Sequence, residues 1–194
     1  MLTALVLAVL TGVAARLRGG SLNDLAETTF RWTPLLVAGL VLQIAFLYWD
    51  PEWLGDGGGL AVLLASNVTV AVWLFVNRSL PGLLLAGAGM ALNVLVIALN
   101  GAMPVLVSSA EKAGVPQSIG DASIKHERLD EETVLPWLGD AIPVPPFKEV
   151  LSVGDVVLAL GLCRLVDARM TSGKRPRHRV EEGKAEGGPR SASG

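Results

Sequence analysis

Five long stretches without any lysine or arginine recur along the chain, separated by shorter gaps. They cover residues 2–15, 33–49, 60–76, 80–99 and 151–163. A helix needs about 20 mainly apolar residues to cross the hydrocarbon core of a bilayer. The three middle stretches approach this length directly. Arg16 and Arg164 extend the two outer ones, because a long arginine stem lies along lipid while its charge reaches the headgroups.

The pattern predicts an all-α membrane protein, a bundle of five transmembrane helices with a long, partly ordered outer loop. The helices are expected at about 2–17, 33–49, 60–76, 80–99 and 151–168, and the outer loop at 101–150. Composition agrees, since 51% of the residues are hydrophobic and only 18% are charged. A soluble domain of this length is less apolar. Residues 50–59, rich in glycine and acid, are expected to form a tight outer turn.

The basic residues lie in every second gap. Twelve of the sixteen lysines and arginines follow the first, third and fifth stretches, and the other four are Lys112, Lys125, Arg128 and Lys148. Because an excess of basic residues marks the cytoplasmic side, the N-terminus is predicted outside and the C-terminus in the cytoplasm. A cleaved signal peptide over residues 1–15 is the main alternative. Its positive charge should precede the apolar run, whereas here the charge follows it.

The chain changes character after Met170. Residues 171–194 consist mainly of glycine, serine, arginine and glutamate, so they are predicted to be a disordered basic cytoplasmic tail behind a bundle domain at 1–170. The net charge of -2 gives no reason to expect a nucleic-acid partner. The expected partners are the lipid bilayer and either a membrane protein or a second copy of the chain.

Aromatic residues mark the predicted membrane edges. Trp32 and Trp49 bracket the second stretch, while Trp73 and Phe75 lie near the inner end of the third. Tryptophan is enriched at membrane interfaces. These aromatic side chains are therefore predicted to be interfacial anchors.

The segment 101–150 holds most of the unusual sequence. Its ends are apolar, its middle is charged, and prolines recur across 136–146. Those prolines exclude a regular helix there. A structureless loop of this length is uncommon in a compact protein. The ends of the segment are therefore expected to pack on the helices or to enter the membrane interface.

Polar and small residues form a stripe along the fourth stretch. It consists of Gly82, Ala86, Gly89, Asn93 and Asn100. Such a stripe predicts close helix packing, with asparagine bonding across the interface and Asn67 and Thr69 of the third stretch as its partners. A ligand or ion path is the alternative.

Asp155 is the one carboxylate inside an apolar stretch. Ser152 precedes it at capping-box spacing, which predicts that Asp155 caps a helix start. A carboxylate that faces a substrate is the alternative.

Signals for catalysis are few. Cys163 is the only cysteine, and the two histidines, His126 and His178, fall on opposite predicted sides of the membrane. No metal site and no cofactor are therefore predicted. His126 with Asp140 is the acid–base pair that an enzyme would use.

Four motifs carry a resemblance to a known family. They are Asn100-Gly-Ala-Met103-Pro104, Lys125-His126, Thr133-Val-Leu-Pro136-Trp-Leu-Gly139-Asp140-Ala-Ile-Pro143 and Ser152-Val-Gly-Asp155. Over about residues 1–168 the chain resembles a family of small bacterial polytopic membrane proteins that is classified as a domain of unknown function. The resemblance implies a location in the bacterial cytoplasmic membrane and assigns no activity.

The resemblance and the polar stripe together supply the candidate functional residues. These are Asn93, Asn100, Met103, Pro104, Lys125, His126, Thr133, Pro136, Gly139, Asp140, Pro143, Ser152 and Asp155. The leading hypothesis is a non-enzymatic protein that binds a lipid, a small ligand or a partner subunit at its outer face. One alternative is a small transporter or channel with a polar path near Asn93, Asn100 and Asp155. The other is a membrane-bound enzyme that uses His126 and Asp140.

Overall fold

The computed structural model describes residues 2–48, 55–115, 126–129 and 132–174. Most of these residues are helical, as predicted. The helices are α1 (Leu2–Leu17), α2 (Leu22–Ala26), α3 (Thr33–Tyr48), α4 (Gly55–Val76), α5 (Leu83–Asn100), α6 (Val107–Ala113) and α7 (Val153–Met170). Four short strands accompany them, namely β1 (Met103–Val105), β2 (His126–Arg128), β3 (Ile142–Val144) and β4 (Glu149–Leu151).

The five long helices pack side by side in the order α3, α4, α5, α7, α1. The short connection through Arg78 makes α4 and α5 an antiparallel hairpin. The last two helices of the row, α7 and α1, run parallel to each other. Thr3 of α1 contacts Glu149 just before α7 begins, and the Ser21 amide donates to the Met170 carbonyl where α7 ends.

Glycines let α5 and α7 approach closely. A Cβ atom on Gly89 would lie 2.4 Å from the Gly154 carbonyl oxygen, and a Cβ atom on Gly161 would lie 2.4 Å from the Ala86 nitrogen. Gly82 faces Gly161 in the same way. The predicted packing role of the small-residue stripe is therefore confirmed, because small residues allow backbones to touch.

The partners predicted for that stripe were wrong. Asn67 donates to the Leu63 carbonyl of its own helix and accepts from Gln43 of α3, while Thr69 donates to the Ala65 carbonyl. Their bonds go back to α4 and across to α3. The hydrophobic pattern alone does not say which of two neighbouring helices a polar face meets, and the stripe of α5 faces α7.

Among the described residues, the core consists of two clusters. The larger one lies between α4, α5 and α7 and contains Val70, Trp73, Leu74, Leu83, Ala86, Met90, Leu158 and Leu165. The smaller one lies at the other end of α5 and contains Val96, Ile97, Met103 and Leu138. Trp73 was predicted to be an interfacial anchor and is instead buried, with its ring 5.4 Å from that of Phe30. The segment after α2 covers this ring, which the local sequence did not reveal.

Helix α4 begins earlier than predicted. It starts at Gly55 and includes Gly57 to Gly59, which were expected in a tight turn. Adding residues to an existing helix gains one hydrogen bond per residue, so the apolar helix behind them extends through these glycines. On length and composition, Gly57–Val76 and Leu83–Asn100 are suited to crossing a membrane, while Leu2–Leu17 and Thr33–Ala45 are apolar but shorter.

In the segment 101–151, which we call the cap, the described residues form four short strands, helix α6 and turns. Strand β1 pairs in parallel with β2, and Val105 of β1 also bridges to Asp140. Strands β3 and β4 form an antiparallel hairpin against which α6 packs. The all-α prediction is thus wrong for this region, because three-residue strands with distant partners carry almost no local signal. Pro136 and Pro145 begin single 3-10 turns, so no regular helix crosses 136–146, as predicted.

Candidate functional site

The start of α7 is a complete capping box. The Ser152 hydroxyl accepts from the Asp155 amide at 2.9 Å, and the Asp155 carboxylate accepts from the Ser152 amide at 3.3 Å. Ser152 is fully buried, with 0% of its surface exposed. A carboxylate in the first turn also stabilises the positive end of the helix dipole. The predicted capping role of Asp155 is confirmed.

Asn93 of α5 joins this box from the neighbouring helix. Its amide nitrogen donates to Asp155 at 2.8 Å, and its amide oxygen accepts from the Ser152 hydroxyl at 2.9 Å. Gly154 makes room for it, since a Cβ atom there would lie 1.9 Å from the Asn93 oxygen. Asn93, Ser152 and Asp155 therefore form a closed network that ties α5 to α7.

Asp140 comes to this network from the cap. Its amide donates to the Pro104 carbonyl at 2.8 Å, and its carbonyl accepts from the Leu106 amide at 2.9 Å, which fixes Asp140 beside β1. Gly139 allows the approach, because a Cβ atom there would lie 2.6 Å from the Pro104 oxygen. Only 6% of the surface of Asp140 is exposed.

The carboxyl group of Asp140 has a raised pKa. Burial, and after it the negative charge of Asp155, raise the pKa of Asp140 to about 8. Both causes disfavour a second negative charge at this place. Asp140 therefore holds a proton through most of the neutral range, and the junction of the cap with α5 and α7 carries a titratable group.

Asn100 fixes a second part of the cap. Its amide oxygen accepts from the Val134 amide at 2.7 Å, and its amide nitrogen donates to the Val134 carbonyl at 3.0 Å. The same nitrogen donates to the Val96 carbonyl of α5 at 2.8 Å. The side chain is fully engaged in holding the cap on the end of α5.

The remaining candidates lie at different depths of the cap. Met103, Pro104 and Gly139 are buried, Thr133 and Pro143 are half-buried, and Pro136 is exposed. Lys125 lies outside the described residues.

The backbone does not bring the acid–base candidates together. His126 pairs with Met103 on one edge of β1, whereas Asp140 bridges Val105 on the other edge. With strands spaced about 4.8 Å apart, two such spacings place the two backbones about 10 Å from each other. Within the described residues, no group of three or more histidine, cysteine, aspartate or glutamate side chains is placed to hold a metal ion.

Sequence reasoning missed Glu149. Its carboxylate accepts from the Leu2 amide at 2.6 Å, from the Thr3 amide at 3.0 Å and from the Thr3 hydroxyl at 2.7 Å. These are first-turn donors of α1, which lack partners within their own helix. Glu149 therefore caps α1 from the cap hairpin. A contact between residues so far apart in the chain leaves no spacing that a sequence pattern can reveal.

These features define a mostly helical protein in which buried polar side chains fasten a small α/β cap to one end of a row of helices. The chain belongs to DUF5317, a family of unknown function, whose family model matches residues 27–166. The match confirms the resemblance to a domain of unknown function and includes all the candidate residues from Asn93 to Asp155. No curated protein and no solved structure matches the chain.

Proposed function

We propose that this is a five-helix protein of the bacterial cytoplasmic membrane whose cap binds lipid at the outer surface and catalyses no reaction. In this proposal α1, α3, α4, α5 and α7 all cross the bilayer. The N-terminus lies outside, and the C-terminus lies in the cytoplasm. The basic residues of the gaps support this orientation.

The exposed surface of the helices supports five crossings. Each of the five helices presents large apolar side chains outward, among them Leu5, Val9 and Leu10 of α1, Val37, Val41 and Ile44 of α3, Val68 and Phe75 of α4, Leu84 and Leu99 of α5, and Leu160 of α7. Burying one such side chain is worth about 1.5–3 kcal/mol relative to water. Lipid around the whole row removes this cost, and water around any of the five helices would restore it.

Contacts at both ends of α1 support its place in the bundle. Glu149 caps its first turn, and Arg18, just beyond its last turn, forms an ion pair with Asp167 of α7. These contacts favour a resident helix over a cleaved signal peptide.

The exposed apolar face of the cap is the observation that carries the lipid-binding proposal. Val134, Trp137 and Ile142 are exposed, and Trp137 has 65% of its surface open. Val134 is fastened to Asn100 beside the exposed Leu99 of α5. We expect this face to adjoin the apolar surface of the helices, which is where the outer leaflet lies in the proposed orientation. Tryptophan favours the headgroup level of a membrane.

Depth-dependent quenching tests the contact with lipid. The variant Trp137→Cys in a Cys163→Ala background carries an environment-sensitive fluorophore and is reconstituted into vesicles with brominated phospholipids. Lys112→Cys, exposed on α6 of the same cap, is the matched control. We expect strong quenching by shallow bromines at position 137 and little at 112. Equal, weak quenching at both positions would contradict lipid binding by the cap.

Labelling from the two sides of the membrane tests the orientation. Ser79→Cys lies in the connection between α4 and α5, and Lys112→Cys lies in the cap. In intact spheroplasts a membrane-impermeant thiol reagent is expected to label position 112 only, and position 79 only after permeabilisation. The reverse pattern would overturn the orientation without touching the fold.

A further inference from the structure

At the end of the helical row opposite the cap, an asparagine side chain holds two segments together, as Asn100 does at the cap. We call this contact the Asn77 clamp. Asn77, at the end of α4, is buried with 2% of its surface exposed. Its amide oxygen accepts from the Arg31 amide at 2.7 Å, and its amide nitrogen donates to the Arg31 carbonyl at 3.0 Å. The clamp holds the segment before α3 against the connection that follows α4.

The clamp brings two arginine–aromatic pairs to one edge of the molecule. Arg31 is followed by Trp32, and Arg78, one residue or about 3.8 Å beyond Asn77 along the chain, stands 4.4 Å over the ring of Phe75. All four side chains are exposed. Among the described residues no carboxylate forms an ion pair with Arg31 or Arg78. Two positive charges and two apolar rings are therefore exposed near the same end of the helical row.

The position of Trp32 is held against a conformational cost. Its φ of 57° lies in the left-handed region, which a residue with a bulky side chain rarely adopts. The Asn77 clamp fixes Arg31 on one side, and the Leu35 amide bonds the Trp32 carbonyl on the other. The ring is nevertheless 64% exposed. Packing does not explain a strained residue whose side chain faces outward, and such strain is often found at binding sites.

We propose that Arg31, Trp32, Phe75 and Arg78 bind the headgroup of an anionic phospholipid of the inner leaflet. Guanidinium groups bind phosphate oxygens through charged hydrogen bonds, often two at a time. In this site the two exposed rings would contact the glycerol and upper acyl chains of the same lipid. A free phosphate would use the arginines and leave the rings unused, which favours lipid. The assignment to the inner leaflet rests on the proposed orientation.

Native mass spectrometry of the full chain in detergent tests this site. Phosphatidylglycerol and phosphatidylcholine with identical acyl chains are the two probes. The double variant Arg31→Gln/Arg78→Gln removes the site. Arg16→Gln/Arg164→Gln removes the same charge from two exposed arginines near the same end of the row. Retained phosphatidylglycerol is expected to fall about tenfold in the first double variant, as the loss of charged phosphate contacts implies, and less than about twofold in the second.

Three results would overturn the site. They are equal retention of the two lipids by the natural sequence, equal losses in the two double variants, and displacement of phosphatidylglycerol by inorganic phosphate at the same concentration. Unchanged circular dichroism melting of both variants shows that a loss is not unfolding. If the lipid is retained selectively but Ser79→Cys is labelled from outside, the lipid site stands and the proposed orientation fails.

Discussion

Two asparagines at opposite ends of the helical row do the same job in different surroundings. Asn77 closes α4 and Asn100 closes α5, and each bonds the amide and the carbonyl of one distant residue while donating back to its own helix. Asn77 is buried, whereas Asn100 is half-buried. One residue type therefore fixes both a cap beside a titratable carboxyl and an edge rich in arginine. The side chains held in place at each end, and not the asparagine itself, set the chemistry of that end.

The largest effect should come from filling the space that the cap-end network occupies. Gly154→Ala would place a methyl group 1.9 Å from the Asn93 oxygen. Neither the asparagine nor the helix start can move far, so we expect a loss of about 3 kcal/mol in unfolding free energy. Unfolding in a mixture of mild and denaturing detergents measures it. Gly57→Ala, with open space around the new methyl group, is the control and should change little.

Removing each asparagine tests whether burial sets the contribution of these hydrogen bonds to the free energy of unfolding. Asn77→Ala leaves a part-buried amide and carbonyl of Arg31 without their partner, and we expect a loss of about 2 kcal/mol. Asn100→Ala exposes the corresponding groups of Val134 to solvent, so about 1 kcal/mol is expected. The same unfolding assay ranks the two. A larger loss for Asn100→Ala would mean that burial does not set the value of the clamp.

Titration should separate the two ends. Because the pKa of Asp140 is raised from 3.8 to about 8, the folded state holds this proton more tightly than the unfolded state. The stabilising contribution is therefore complete below about pH 4 and is lost as pH rises to about 8. We expect the free energy of unfolding to fall steadily across this window through this group. Asp140→Asn, which keeps a neutral side chain, should flatten the curve. An unchanged slope in that variant would assign the pH dependence elsewhere.

The smallest effect concerns the attachment of α1 to the cap end. Glu149→Gln keeps the shape of the side chain but weakens the charged bonds to the first turn of α1, and about 1 kcal/mol is expected. Protease susceptibility of the first turn should rise several-fold. Glu27→Gln, an exposed acid at the end of α2, serves as the comparison and should leave cleavage unchanged.

Local patterns predicted the parts of the fold that depend on neighbours in the chain. Apolar runs gave the positions of the long helices, and the spacing of Ser152 and Asp155 gave the capping box. The stripe on α5 predicted close packing. These features depend on residues within a few turns, which is the range over which sequence periodicity carries information.

The parts that failed depend on contacts between distant residues. The strands of the cap pair with partners distant in the chain, whereas segment 101–150 was expected to be a long, partly ordered loop. The partner helix of α5, the burial of Trp73 and the Glu149 contact have the same origin. Asn93, Asn100, Asp140, Ser152 and Asp155 were all named as candidates. That four of them meet at one junction, with Asn100 holding the cap nearby, follows from the tertiary structure.

The glycines between α5 and α7 also fix the position of one helix along the other. Gly82 and Gly89 are seven residues apart, as are Gly154 and Gly161. A sliding movement of less than about 10 Å, seven residues of helical rise, would drive side chains into the opposite backbone. We expect α5 and α7 to move as one rigid body in any conformational change. Motion is then left to α3 with α4 on one flank of the row and to α1 on the other.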